Sequence, residues 1–444
     1  MLITNGKIVT WGDKPEIIEG KALLIKDGLI TRIENGSSLK ETHPGEEILD
    51  AGGQLVMAGN ICAHTHFYGA FSRGMAIPGD PPADFQAILS NLWWKLDKAL
   101  DEEGVRYSAL VCLVDAIKYG TTTLFDHHAS PNCIDGSLDI IAEAVRQSGL
   151  RASLCYEVTD RDGEERANAG IRENARFIDK VASGAETPLL RAHFGLHASL
   201  TVSARTLERC LEANTRKAGF HVHAAEGAVD QDDSRRKYGQ RVIERFYEQG
   251  VLGDRSILAH GVHADARELD LLAETQTWLS HQPRSNMNNA VGVAPVLEML
   301  RRGVKVVLGN DGFSNAMWEE WKAAYFIQKD HRHDPRLMNG YEVMKIAVEN
   351  NSRLATQTFD GLRVGIIEPG AAADLILVDY HPITPLTGGN LPWHVLFGFR
   401  EGMVTSTIVG GKLLMRDRKL VFLDEAEIAA KAREAAQRTW KKIQ

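Results

Sequence analysis

Eight times between residues 56 and 312, an apolar β-like segment gives way to a longer stretch of helical character, and few folds accommodate that rhythm. The segments are 56–67, 121–128, 151–158, 189–198, 219–226, 256–261, 277–283 and 304–312. Between them lie helical stretches such as "DEEGVRYSALVCLVDAIKYG", "SLDIIAEAVRQSG" and "SRRKYGQRVIERFYEQG". Eight βα units predict an α/β chain whose parallel strands close into a (β/α)8 TIM barrel, with a doubly wound sheet as the alternative.

The two ends of the chain read differently. The first 55 or so residues are short strands with glycine turns, and a similar texture returns in "GAAADLILVDYH" and "VTSTIVGGKLLMRDRKLV". Neither end has enough strands to stand alone, so the two are expected to pair into one small β-sandwich domain. The expected division is 1–57 with 363–422 for that domain, 58–362 for the barrel, and 423–444 for a polar, alanine-rich C-terminal helix.

Bulk properties exclude several classes. A net charge of -8 argues against nucleic acid or an anionic membrane as the main partner. No apolar run is long enough to span a bilayer, and the mean hydropathy is -0.22. The N-terminal "MLITNGKIVTWGD" reads as a strand and not as a secretory signal. Five scattered cysteines without a CxxC pair predict reduced thiols in a cytoplasmic protein.

Chemistry is concentrated where the predicted strands end. In "AHTHF", His64 and His66 are two residues apart and so point to one side of a strand, where two imidazoles can chelate a divalent metal. The same pair could instead cap a strand at the surface. "HVHAAE" repeats the pattern with His221 and His223 and places Glu226 three residues on, while "LAHG" ends a strand in His260. "KVVLGNDGFSN" runs into Asp311, which could serve a metal or cap the following helix. Nine of the sixteen histidines fall at such strand ends, and histidines placed for solubility would not gather there. On a TIM barrel this is the face that carries the active site.

The ordered motifs "AHTHF", "HVHAAE", "LAHG" and "GNDG" resemble the amidohydrolase superfamily, in its branch of metal-dependent deaminases and chlorohydrolases. "KYGTTTLFD", "GLHASLTVS", "HQPRSNMNNAVGVAP" and "VGIIEPGAAADLILVD" support the likeness, which spans nearly the whole chain. "HASP" after "LFDH" is similar to one aminohydrolase group within that branch. The resemblance implies one divalent metal ion, Zn2+ with Fe2+ or Mn2+ as alternatives, held by His64, His66, His223 and Asp311. It implies catalytic roles for Glu226 as proton carrier, His260 beside the substrate, and Asp311 as base. His221 points into the same space with its role open. Relatives that bridge two metals often do so with a carboxylated lysine on the fourth strand; "LLRAHFGLHA" has none, and His197 at its end resembles a substrate-contacting histidine.

Further candidates for substrate binding are Arg73, Asn286, His127 and His128. Arg73 and Asn286 could equally belong to solvated or turning loops. Adjacent strand residues point opposite ways, so at most one of His127 and His128 can face a pocket squarely. A purely structural role for that pair and a second metal site are the other readings. Trp93 and Trp94 could stack on a ring or pack, Asp97 could cover a ligand or lie on a helix surface, and Glu157 could be a buried ion-pair partner. The expected activity is hydrolytic deamination of a purine-like or related nitrogen heterocycle. Ring opening or dechlorination on the same scaffold, and a non-catalytic metal-binding scaffold, are the alternatives. The expected partner is a small heterocyclic substrate, and the resemblance implies a homodimer or higher homo-oligomer.

Overall fold

The computed structural model describes residues 1–12, 14–77 and 79–443; Gln444, at the end of the expected C-terminal helix segment, lies outside the described residues. Eight parallel strands carry the site. They are β1 (Asn60–Thr65), β2 (Thr121–His128), β3 (Arg151–Tyr156), β4 (Phe194–Ala198), β5 (Phe220–Ala224), β6 (Ile257–His260), β7 (Trp278–His281) and β8 (Lys305–Leu308). β1 pairs with β2, and β2 with β3. β4 to β8 form a second parallel run in chain order. Single parallel bridges join the edges of the two sheets, Val158 to Leu196 just past β3 and Thr65 to Asp311 just past β8.

The fourth segment departs from the expected single strand. It is interrupted at His193, with Leu190–Ala192 pairing to β3 and β4 pairing to β5. His193 N still donates to Leu154 O of β3 at 3.1 Å, and its Nδ1 meets Ser153 Oγ at 2.7 Å.

Every residue of β2, β3 and β5 is buried, including polar ones such as Thr121, Thr122, Asp126, Arg151 and His221. Two glycines permit close strand approaches. A Cβ on Gly59 would lie 2.2 Å from Thr122 Cγ2, and one on Gly309 would lie 2.7 Å from both His64 N and His64 O. The second approach lets Asn310 N and Asp311 N donate to His64 O at 3.0 and 3.1 Å, which ties the segment after β8 to β1.

The chain ends meet in a mixed sheet of seven strands, where Leu375–Val378 runs antiparallel to Leu55–Ala58 with Ile376 opposite Met57. A four-stranded sheet from the first 50 residues shares a core with it, with Ile3, Leu23 and Ile25 packed among Leu375, Leu377 and Ile408. The helix Glu425–Lys441 packs on the helix Glu102–Tyr119. Beside it Trp440 Nε1 donates to Phe71 O at 2.7 Å, bracing the segment that follows His66. Among the described residues no helix is long and apolar enough to cross a membrane.

Candidate active site

The period-2 geometry of β1 puts His64 and His66 on one side, both buried. β5 brings His223 against them, and the segment after β8 brings Asp311. The nitrogen and oxygen donors of these four side chains lie within 4.8 Å of one another. His66 Nε2 is 2.9 Å from Asp311 Oδ1 and 3.2 Å from His223 Nε2, while His64 Nε2 is 3.7 Å from Asp311 Oδ1.

Hydrogen bonding on the far side of each ring defines what these nitrogens present. His66 Nδ1 donates to the carbonyl of His127 at 2.5 Å, and His223 Nδ1 to the carbonyl of His197 at 2.8 Å. With its hydrogen on Nδ1, a neutral imidazole presents a lone pair at Nε2. In their neutral forms the two rings would turn lone pairs toward each other across 3.2 Å, an arrangement that a cation between them resolves. Tetrahedral zinc with Zn–N of about 2.0–2.1 Å holds its nitrogens about 3.3 Å apart, so the spacing fits such an ion. His64 Nε2 is fully buried and has no hydrogen-bond partner, which fits a third ligand. Burial lowers His64 to about 3, keeping its lone pair available. Burial disfavours charge on Asp311, but the neighbouring His64 and His66 rings outweigh it and hold the carboxyl well below the usual range. The donor set fits a divalent metal.

Glu226, His260 and Asp311 form an adjoining cluster. Glu226 Oε2 is 3.4 Å from His260 Nε2, and Asp311 Oδ2 is 3.9 Å from the same nitrogen. Burial, reinforced by the charge of Asp311, holds the Glu226 carboxyl well above the usual range. The short helix Pro283–Asn288, begun by a proline at its first turn, aims three residues at this cluster. Ser285 Oγ donates to Asp311 Oδ2 at 2.5 Å, Asn286 Oδ1 accepts from His260 Nδ1 at 2.8 Å, and Asn289 Nδ2 donates to Glu226 Oε1 at 3.4 Å. His260 and Asp311 adopt φ of +77° and +58°, left-handed conformations that side-chain-bearing residues rarely hold outside functional sites.

A cavity opens onto these groups. Its wall includes His66, Trp93, Trp94, His197, His223, Glu226 and Asp311. Trp94 lies beneath the Arg161 guanidinium, which is 5.3 Å from the ring centroid, and Arg161 is ion-paired with the buried Asp97. Asp97 therefore faces the cavity and is not a helix-surface carboxylate.

Four sequence candidates do not line this cavity. Arg73 turns outward and pairs with Asp115 at 2.5 Å, because the chain after His66 curls into a short 3-10 helix, Phe67–Ser72, before reaching it. Asn286 is engaged by His260 and acts on the site through that ring. His127 is buried with Nδ1 on Glu157 and Nε2 on the His221 carbonyl; His128, on the opposite side of β2, bonds Ser130 Oγ at 2.9 Å. Expected as substrate contacts, both are held by the protein itself.

Sequence reasoning gave Glu157, Ser285 and Asn289 no firm place. For Glu157 a signal existed, since it ends the third strand as the histidines end the others. For Ser285 and Asn289 the signal was the spacing of four on a short helix behind β7.

The parallel strands, the histidine and carboxylate donors at their ends and the adjoining acid define a class of hydrolase built around a metal-binding strand end. The Amidohydrolase family model matches residues 55–414, and the chain belongs to that family. It is 30% identical over 444 residues to the 5-methylthioadenosine/S-adenosylhomocysteine deaminase of Syntrophomonas wolfei, covering 99% of each chain. It is 32% identical over 445 residues to the 5'-deoxyadenosine deaminase of Methanopyrus kandleri, covering 98% of each. The structure of an adenosine deaminase from Xanthomonas campestris with bound zinc superposes with a TM-score of 0.85 at 23% identity, covering 99% of this chain and 98% of that one.

Proposed function

We propose that the chain is a metal-dependent hydrolytic deaminase of a purine-like heterocycle, built on a closed (β/α)8 barrel spanning residues 58–362. Residues 1–57 and 363–422 would form its β-sandwich domain. The bridges at Val158–Leu196 and Thr65–Asp311 support closure, and the core shared by the terminal sheets supports the sandwich. The observation that carries the function is the pair of imidazole Nε2 atoms facing across 3.2 Å, next to Asp311, whose carboxyl is held well below the usual range, and Glu226, whose carboxyl is held well above it. The activities of these relatives, deaminases of adenosine derivatives, support a purine as substrate.

His64, His66, His223 and Asp311 would hold the ion. When bound, a divalent ion supplies Lewis acidity that makes water a nucleophile near neutral pH. Asp311 stands on the ligand cluster as an ionised carboxylate and accepts the proton that the water gives up. Ser285 keeps its Oδ2 oriented while it does so. Attack on the amino-bearing ring carbon places negative charge on the heterocycle, and Glu226 delivers its proton to a ring nitrogen; the proton taken up by Asp311 then passes to the leaving amine, and the remaining hydroxyl proton returns to Glu226 as the carbonyl forms. The raised affinity of Glu226 for a proton, from burial and the Asp311 charge, suits that delivery at neutral pH. His260, fixed by Asn286 with Nε2 toward Glu226 and Asp311, hydrogen-bonds the reacting centre. The two tryptophans of the cavity wall exclude bulk water. We also assign the chain to the cytoplasm and to a homo-oligomer.

The test is a product-resolved screen of the zinc-loaded protein against aminated purines, pterins and pyrimidines. Ammonia release with the ring intact is expected. Ring-opened or dechlorinated products without ammonia would overturn the deaminase reading.

A further inference from the structure

Glu157 takes no part in the proton transfers above, yet its carboxylate lines the cavity while being only 2% exposed. Oε1 accepts from His127 Nδ1 at 3.0 Å and lies 3.4 Å from His66 Nδ1. Oε2 is 3.9 Å from His197 Nε2 and accepts no hydrogen bond among the described residues. His127 Nε2 in turn meets the carbonyl of His221 at 2.9 Å. Both nitrogens of His127 thus face oxygen acceptors, so both bonds require a hydrogen on the ring side and the ring offers no lone pair. His127 anchors Glu157 from behind and leaves Oε2 as a free acceptor on the cavity wall.

The same residues could be imagined holding a second cation, since donors of His66, His127, Glu157 and His223 lie within 4.8 Å of one another. The hydrogen bonds argue otherwise. His127 has no lone pair to give, His66 Nδ1 is engaged at 2.5 Å by the His127 carbonyl, and His223 Nε2 belongs to the first cluster. Only Glu157 remains.

We propose that Glu157 is a specificity-determining residue whose Oε2 accepts an N–H of the substrate, selecting heterocycles that carry an amino or amidine donor besides the reacting one. It rests on the deaminase reading and names the substrate class for that site. A buried acceptor left unpaired penalises the analogue that lacks the donor, which is how such a site discriminates.

Adenine and 2,6-diaminopurine differ by one amino group and serve as probes, with the zinc-loaded protein. Affinities from ligand-induced stabilisation, ammonia release and zinc content are measured for wild type, Glu157→Gln and Glu157→Asp. Wild type is expected to favour 2,6-diaminopurine by at least about tenfold. In Glu157→Gln the amide oxygen takes the His127 bond and turns its NH2 to the cavity, so the preference should fall to near unity with one zinc retained. Glu157→Asp, which draws the oxygen back, should lower it too. An unchanged preference in both variants overturns the proposal, as does a second zinc in wild type that Glu157→Gln loses. Failure of wild type to bind either purine also overturns it. Discrimination in binding without ammonia release would leave Glu157 as the selector and sink the deaminase reading instead; ammonia release without discrimination would do the reverse.

Discussion

Nδ1 of His64 lies 2.8 Å from Nε2 of His221, joining two rings 157 residues apart in the chain inside the wall of the site. If His64 presents Nε2 to a metal, its Nδ1–H donates to His221, which settles the orientation of both rings. The sequence left His221 open; the structure makes it the partner that holds a ligand in place. His221→Phe should therefore lower zinc affinity about 10–100-fold, as removing such partners commonly does. Competition with a chelator, alongside circular dichroism to confirm folding, measures this. Affinity equal to wild type would show that His64 is held by packing alone.

One ion per chain is expected, because one cluster combines free lone pairs with an ionised carboxylate. His66→Ala and Asp311→Asn should each reduce zinc content while Glu226→Gln leaves it at one. Metal analysis returning two bridged ions in every wild-type chain would rule the mononuclear site out.

Glu226→Gln should also lose most turnover, by about 10²–10⁴-fold in kcat, since general acid–base groups typically contribute that much. The amide can still accept from Asn289, so the fold around it is retained. Single-turnover measurement on the zinc-loaded variant checks the chemical step. A kcat within a factor of a few of wild type would remove Glu226 from proton transfer.

A buried carboxylate behind the site provides a pH signature. Burial raises Asp230 to about 7, although it accepts hydrogen bonds from Ala225 N and Leu200 N that favour its charged form. Because the folded value lies above the unfolded one, the folded chain holds this proton where the unfolded chain has released it. The contribution to stability is full below the ordinary aspartate range and is lost as pH rises through about 7. In the metal-free protein the contribution of Asp230 should fall with pH over this window by up to about 1.4 kcal/mol per pH unit. Asp230→Asn, less stable overall because it cannot accept both backbone bonds, should show a shallower slope in urea titrations. Parallel slopes would mean that Asp230 is ionised throughout.

What the sequence by itself determined was the set of strand-end groups. Strand alternation paired His64 with His66 and His221 with His223, because a period of two decides which side chains share a side, and the resemblance of the ordered motifs to the amidohydrolases singled out His223, Glu226, His260 and Asp311. What only the tertiary structure decided was which atoms each group presents. Arg73 and His127 were reasonable ligand contacts in one dimension, but Asp115 claims the first, and Glu157 with the His221 carbonyl claims the second. Asp97 carried no periodic signal that separates a cavity wall from a surface or a core. Hydrogen-bond partners are chosen by distance in space, and here the deciding ones lie 30 residues away for His127 and Glu157 and 157 away for His64 and His221, separations at which local pattern carries no information about direction.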